Sequence, residues 1–376
     1  MINDNFKIIG GAERYFFNLV KLLKDRGHKV FTLTFADFES FKDNDFVLKQ
    51  YQNKFGQFLA HRFISFRYFK IRKIIKRVQP DIIHLHNIYE NHYSILLAGR
   101  GCRVIQTVHD LNFIFPGYLQ SFYKNTNDFL LKIRVSWHRF INNLFINYFL
   151  VPSQFLEKEM IKYKYKNLIV LPYFLDSEPI RTDKNNKLPI ILYSGRLTQE
   201  KGIDHLITFL NYLLTQEKYF QLIVAGEGPE KSILQKIAEN NSQLKLAGWL
   251  AYDQLKKLYA QADLLIVTSS VPENSPLVIY EALTHQLPVV AFAIGGIGEL
   301  IKNNNTGFLI EPGNAKIMAE KVNELLKNNG LLKIISLNIK NYLNQADNPY
   351  GQNRHYHQLI NIYDQIRNNL PANHCK

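Results

Sequence analysis

Two glutamates and two cations stand where an α/β protein presents ligands. Glu273 follows the apolar run ADLLIVTSS at 262–270, so it lies just past the carboxyl end of an expected strand, where open α/β sheets bind their ligands. Ser275 is suited to an N-cap and Pro276 to the first helical position, so the spacing predicts a helix opening there. Its unbonded N–H groups and its dipole favour an anion such as a diphosphate. Glu281 falls about two turns into that helix. The two carboxylates therefore meet different surroundings and are fitted for different work. A second anion site is offered by SGRLTQEK at 194–201, directly after the strand residues ILY. Gly195 permits a tight turn beside a ligand, and Arg196 and Lys201 supply a planar fork and a point charge. Either cation alone would read as surface solvation; their sharing of one strand-to-helix loop favours phosphate. In the first half, Gly10 and Gly11 open directly into the helical pattern AERYFFNLVKLL. The pair is compatible with a plain turn or with close approach of a sugar or phosphate. His109 follows the strand CRVIQTV, and that loop position favours a ligand contact over a structural role.

Elements that would position these residues are legible in the alternation of short β-rich runs with longer amphipathic stretches. That alternation indicates parallel sheets with crossover helices. A helix from about Ala12 is expected to stop at Gly27. Strands are expected at 28–35, 81–86, 102–108, 148–151 and 168–171 in the first half. In the second they fall at 190–193, 220–225, 243–247, 264–268 and 289–292. The polar, proline-containing stretch Pro172–Pro189 reads as an interdomain linker, and 331–369 reads as wholly helical. The divisions expected are 1–175, 176–345 and a C-terminal helix over 346–376 that returns to the first domain.

A chain of 376 residues exceeds the size at which one core keeps growing, so two domains are expected. Cys102 and Cys375 are too few and too isolated for a disulfide framework or a zinc site, which suits a reducing cytoplasm. No secretory signal pattern is visible in the first ten residues. The apolar stretch Phe140–Leu150 is too short and too rich in asparagine to span a bilayer. The net charge of +14 is unevenly spread: residues 1–175 carry 26 Lys and Arg against 13 Asp and Glu. Within 42–77, ten cations interleave with Phe55, Phe58, Phe63, Phe66, Tyr68 and Phe69, opposed by Asp43 and Asp45. That mixture suits an anionic membrane surface, or a solvated helix whose aromatics turn to the core. Nucleic acid is not expected as a partner, since no recognised module accompanies the charge.

Taken together, the segments resemble the group 1 glycosyltransferase family, the retaining family with the GT-B fold. The matching segments are GGAER at 10–14, VHD at 108–110, VPSQF at 151–155, SGRLTQEKG at 194–202 and VAGEGP at 224–229. The Glu273/Glu281 pair and LPVVA with GGIGE in 287–299 complete the set. They arrive in family order and span most of the chain. The resemblance implies two facing Rossmann-like domains, with Arg196 and Lys201 neutralising the diphosphate of a UDP- or GDP-sugar. It implies that Glu281 holds the ribose hydroxyls and that backbone around Pro276, Leu277 and Val278 completes the phosphate cradle. Glu273 would contact the donor sugar on its reacting side, His109 would lie near the anomeric centre, and Gly10 and Gly11 would let the donor approach. It also implies no cofactor and no metal, because fixed cations stabilise the departing diphosphate. The expected activity is transfer of a hexose or N-acetylhexosamine to a glycan or lipid-linked acceptor at the inner membrane face, in cell-surface polysaccharide synthesis.

Two departures qualify the resemblance. Only nine residues precede Gly10, so Met1–Asn5 is expected to supply just the last residue or two of a central first strand. Gln286 stands where the family has glycine, and can hold its turn at negative φ. Competing readings are a glycoside hydrolase, a GT-B sugar-nucleotide epimerase, and an inactive relative serving as scaffold or binding partner. A hydrolase needs its carboxylates facing across a sugar, which a loop glutamate and a helix glutamate beside a phosphate site do not offer. The inactive relative is motivated by the missing strand.

Overall fold

Each half of the alternation closes into a parallel sheet flanked by helices. The computed structural model describes residues 1–7, 10–42, 45–51, 64–88, 91–114, 129–175, 187–217, 219–345 and 348–369. The chain divides into two compact units, one of Met1–Tyr173 with Asn353–Lys376 and one of Phe174–Gln352. Of the expected linker, residues 176–186 lie outside the described residues, as do Asp43, Phe55, Phe58 and Phe63 of the basic segment.

Unit 1 contains β1 (Ile2–Asn5), β2 (Thr32–Ala36), β3 (Ser40–Lys42), β4 (Asp45–Lys49), β5 (Ile83–His86), β6 (Val104–Thr107), β7 (Tyr148–Val151) and β8 (Leu168–Val170). Their order in the sheet is β3-β4-β2-β1-β5-β6-β7-β8, all parallel except the edge strand β3. The first strand runs for four residues rather than one or two, and it occupies the centre. Ile2 pairs with Leu33 on one side and Leu85 on the other. Beneath its start the packing is incomplete. A cavity of about 330 Å³ opens there, lined by Met1, Val30, Phe31, Ile75, Ile83 and Tyr363 among others. The helix Gly11–Asp25 ends as expected, with Gly27 at φ +85.

The basic segment is not uniform. In the helix Arg67–Val78, Ile71, Ile74 and Ile75 are buried and Tyr68 packs on the core, whereas Phe66 and Phe69 are exposed. Residues 140–150 are divided between the helix Phe129–Phe145 and β7, and no described helix is long and apolar enough to cross a membrane. Of the two cysteines, Cys375 lies outside the described residues.

Unit 2 contains β9 (Ile190–Ser194), β10 (Gln221–Ala225), β11 (Leu244–Gly248), β12 (Leu264–Val267), β13 (Val289–Phe292) and β14 (Gly307–Ile310), in the order β11-β10-β9-β12-β13-β14. The chain moves from β9 outward to β11 and then crosses to the other side of β9. This makes β9 and β12 the pair at which the winding reverses, the usual place for a ligand crevice. The C-terminal stretch is two helices, Asn329–Leu343 and Gln352–Asn369, rather than one. Pro349 cannot continue a helix, and Asn348 closes the break by donating to the Leu343 carbonyl at 2.8 Å and accepting from Tyr350 N–H at 3.0 Å. The last helix belongs to unit 1, where Tyr363 bonds His84 at 2.7 Å and His355 bonds Tyr15 at 3.1 Å.

Candidate functional site

Three loops of unit 2 meet at the carboxyl ends of β9, β10 and β12, and glycines are what let them meet. Gly195 N–H donates to the Ala225 carbonyl at 3.0 Å, and Leu197 N–H donates to the Glu227 carbonyl at 2.8 Å, so the SGRL loop is laced to the AGEG loop. A Cβ on Gly226 would stand 1.8 Å from the Gly195 oxygen, and one on Gly228 2.3 Å from the Leu197 oxygen. On the other flank Gly202 sits at φ +69, and its added Cβ would fall 1.8 Å from the Thr268 oxygen at the end of β12. Thr268 Oγ1 donates to the Lys201 carbonyl at 3.1 Å, and Ser270 N–H to the Glu200 carbonyl at 2.9 Å. The cationic loop is therefore clamped between its neighbours on both sides.

Across the β9–β12 crevice, Lys201 Nζ and Glu273 Oε1 form an ion pair at 2.5 Å, with Ser269 Oγ donating to the same oxygen at 2.7 Å. The Glu273 backbone is held in turn by the glycine pair of GGIGE. It bridges Gly295, whose Cβ would lie 2.2 Å from the Glu273 oxygen, and Gly296 N–H donates to that oxygen at 2.7 Å. Arg196 is exposed on the loop after β9. Bonds to its own backbone N–H and to Thr198 lower the Glu200 carboxyl, and the positive field of Arg196 and Lys201 adds to them.

The helix expected after Glu273 spans Leu277–Thr284. Its N-cap is Pro276 and not Ser275, whose buried hydroxyl is instead paired with Tyr280 OH at 2.9 Å. Leu277 and Val278 therefore occupy the first turn, where N–H groups have no acceptor within the helix. Glu281 is its fifth residue, partly buried, with its carbonyl bonded to His285. Gln286 has φ +55, so the negative φ at which a glutamine holds this turn without strain is not met. It is the left-handed residue just past the helix end, a position that favours glycine.

Unit 1 builds its own constellation around the β1–β5 reversal. Gly10 caps the helix Gly11–Asp25 with extended backbone, and its N–H donates to Glu13 Oε2 at 2.9 Å. Asn5 at the end of β1 and Asn87 beyond β5 both donate to Glu13 Oε1, at 2.9 and 2.7 Å. Glu13 is buried, and its charge is satisfied by three N–H donors at a helix start. Sequence reasoning passed over it inside GGAER; a carboxylate three positions after an N-cap glycine was the available signal. His109 is half-buried beyond β6. Its Nδ1 pairs with Tyr173 OH at 2.7 Å, its Nε2 faces His86 Nδ1 at 3.3 Å, and burial lowers its pKa to about 3. It is a neutral imidazole gripped on two sides. Thus the structure joins Lys201 to Glu273 at one crevice of unit 2, near Arg196 and the helix carrying Pro276, Leu277, Val278 and Glu281. It places Gly10, Gly11 and His109 at strand ends of unit 1.

Residues 176–342 match the family described as Glycosyl transferases group 1, and residues 9–178 match Glycosyltransferase Family 4. Alpha-D-kanosaminyltransferase of Streptomyces kanamyceticus is 28% identical over 141 residues, 37% of this chain and 36% of that one. The chain thus spans little more than a third of that relative's length. An uncharacterized glycosyltransferase of Methanocaldococcus jannaschii is 25% identical over 350 residues, 90% of each chain. Anabaena HepE, solved in complex with UDP-glucose, superposes with a TM-score of 0.73 at 19% identity, covering 97% of this chain and 98% of that one.

Proposed function

This chain belongs to the group 1 glycosyl transferases and has the GT-B fold, and from that premise we propose that it transfers a hexose or N-acetylhexosamine from a UDP- or GDP-sugar, with retention. The observation that carries the reading is the clamped loop at the β9–β12 reversal. There Lys201 and Glu273 face each other beside an open helix N-terminus. A diphosphate entering that crevice takes Lys201 from Glu273, gains Arg196, and aligns with the first-turn N–H groups. Glu273 is released toward the sugar, and Glu281 takes the ribose hydroxyls. The bond from the anomeric carbon to the β-phosphate oxygen breaks as the acceptor oxygen bonds that carbon on the same face. The acceptor proton passes to the departing phosphate. Lys201, Arg196 and the helix start stabilise the charge that develops, the role a metal would otherwise serve. His109, neutral and held by Tyr173 and His86, is the unit 1 group proposed to contact the sugar, with Gly10 and Gly11 giving it room.

The acceptor is proposed to be a glycan or lipid-linked sugar at the cytoplasmic membrane face, in cell-surface polysaccharide synthesis. The cationic excess of the first 175 residues supports that placement. The inactive-relative reading lost its motive once Ile2–Asn5 was found in the central position. The test is calorimetric titration with a panel of UDP- and GDP-sugars, followed by transfer to membrane extract with and without chelator. UDP-sugars come first, because HepE, of the same fold, holds UDP-glucose. Binding of one donor, transfer that survives chelation and loss of transfer in Glu273→Ala are expected. Absence of binding by every donor overturns the proposal, and intact transfer by Glu273→Ala overturns the site assignment.

A further inference from the structure

The helix Phe129–Phe145 turns outward a face that sugar transfer does not use. Ile133, Trp137, Phe140 and Leu144 are spaced by four, three and four positions, which lines side chains along one stripe of an α-helix. All four are open to solvent, at 50%, 58%, 56% and 63%. The helix is anchored by other residues. Val135, His138 and Asn142 are buried, with His138 Nδ1 paired to Tyr93 OH at 2.9 Å and Asn142 Oδ1 to His92 Nε2 at 2.7 Å. On an ordinary surface helix the side away from the core is polar. Single exposed apolar residues need no explanation, but a tryptophan and three other large apolar groups in one line do.

The charges around this stripe identify what it fits. The helix carries Lys132, Arg134 and Arg139 and has no carboxylate. At its C-terminal end Asn143 is bonded to the backbone of Lys164 at 3.0 Å and of Lys166 at 3.2 Å, which brings two exposed lysines beside Leu144. An apolar band on a helix that bears cations and no carboxylate complements an anionic lipid surface. Aromatic and aliphatic groups enter the acyl boundary while the cations stay among headgroups. A second copy of this face is a poor partner, since a two-fold pairing would oppose the same cations with no acid on the helix to neutralise them.

We propose that the Ile133–Leu144 stripe seats unit 1 on an anionic lipid bilayer. This deepens the membrane-facing part of the proposed function, but the contact does not depend on donor chemistry. The test uses the full chain with Trp249→Phe, which leaves Trp137 as the sole tryptophan reporter. Flotation with phosphatidylglycerol–phosphatidylcholine vesicles, a blue shift of Trp137 emission, and weakening of both as salt rises from about 0.1 to about 0.5 M are expected. Pure phosphatidylcholine vesicles should bind less. A separate chain carrying Trp137→Ser with Phe140→Ser, both outside the packed face, should lose at least about tenfold in partitioning. Its donor binding by calorimetry should be unchanged. Equal flotation of the double variant overturns the proposal. So does absence of flotation, including the case where the blue shift tracks protein concentration and light scattering shows a dimer that the double variant loses. Failure of donor binding in both chains would refute the transferase reading and leave the flotation result standing.

Discussion

Gln286 shows how one dihedral separates a permissible substitution from a costly one. A glutamine at the end of the helix Leu277–Thr284 is harmless at negative φ, but its φ is +55, where a Cβ crowds the backbone. Gln286→Gly is expected to stabilise unit 2 by about 0.5–1 kcal/mol, part of the relief being offset by the entropy of glycine in the unfolded chain. Urea unfolding measures this, and donor affinity should not move. Lys201 is the opposite case, a residue that the sequence singled out and whose partner only the structure supplied. Replacing it by methionine keeps the aliphatic stem, removes the ion pair to Glu273 and leaves the bond that Glu273 accepts from Ser269. On the proposed mechanism kcat/KM should fall about a hundredfold, the usual cost of removing one fixed stabiliser of developing charge. Steady-state kinetics with a soluble acceptor analogue checks it; a loss confined to KM would assign Lys201 to ground-state binding only.

At the scale of elements, glycine sets how closely the loops approach. Gly202 pairs a left-handed φ with a Cβ position 1.8 Å from the Thr268 oxygen, so neither backbone nor neighbour can accept a side chain without movement. Gly202→Ala is expected to destabilise unit 2 by more than about 2 kcal/mol and to loosen Lys201 from β12. Chemical denaturation should register the first effect and weakened nucleotide-sugar binding the second. Arg196→Ala, on an exposed side chain, should weaken binding without the stability loss. Much of this architecture was legible. The expected strands of the second half recur within a residue or two, because buried parallel strands read as continuous apolar runs. The misses have reasons. β14 is four residues, GFLI, too short to signal by periodicity, and β3 and β4 lie where charge obscures the apolar pattern. The helix expected over 331–369 is interrupted at Pro349, because one proline outweighs its helical flanks.

At the scale of the molecule, unit 1 is filled with neutral imidazoles. Burial holds His109 at about 3, His92 and His355 at about 4, and His84, His86 and His138 well below the usual value. Each is unprotonated in the fold and takes up a proton on unfolding below pH about 6.5, so stability is lost as pH falls toward the depressed values. Between pH 6.5 and 5 that amounts to about 1.5 kcal/mol for each of the three whose values are given. Hydrogen exchange at pH 7 and 5, corrected for intrinsic rates, should show unit 1 peptides losing protection before those of unit 2, where burial also lowers His285. Uniform loss across both units would show that they unfold as one.

The sequence alone determined the α/β alternation, the loops that follow each strand, and the order of motifs that marks the family. All of these are local, set by periodicity, by glycine and proline, and by residues adjacent in the chain. Only the tertiary structure decided that Lys201 meets Glu273 across a strand reversal, that Glu13 joins the ends of β1 and β5, and that Gln286 is left-handed. It also turned Trp137 and Phe140 outward. Such facts depend on which strands become neighbours and which side of a helix is buried. Those outcomes are fixed by packing between segments distant in the sequence, and no single segment encodes them.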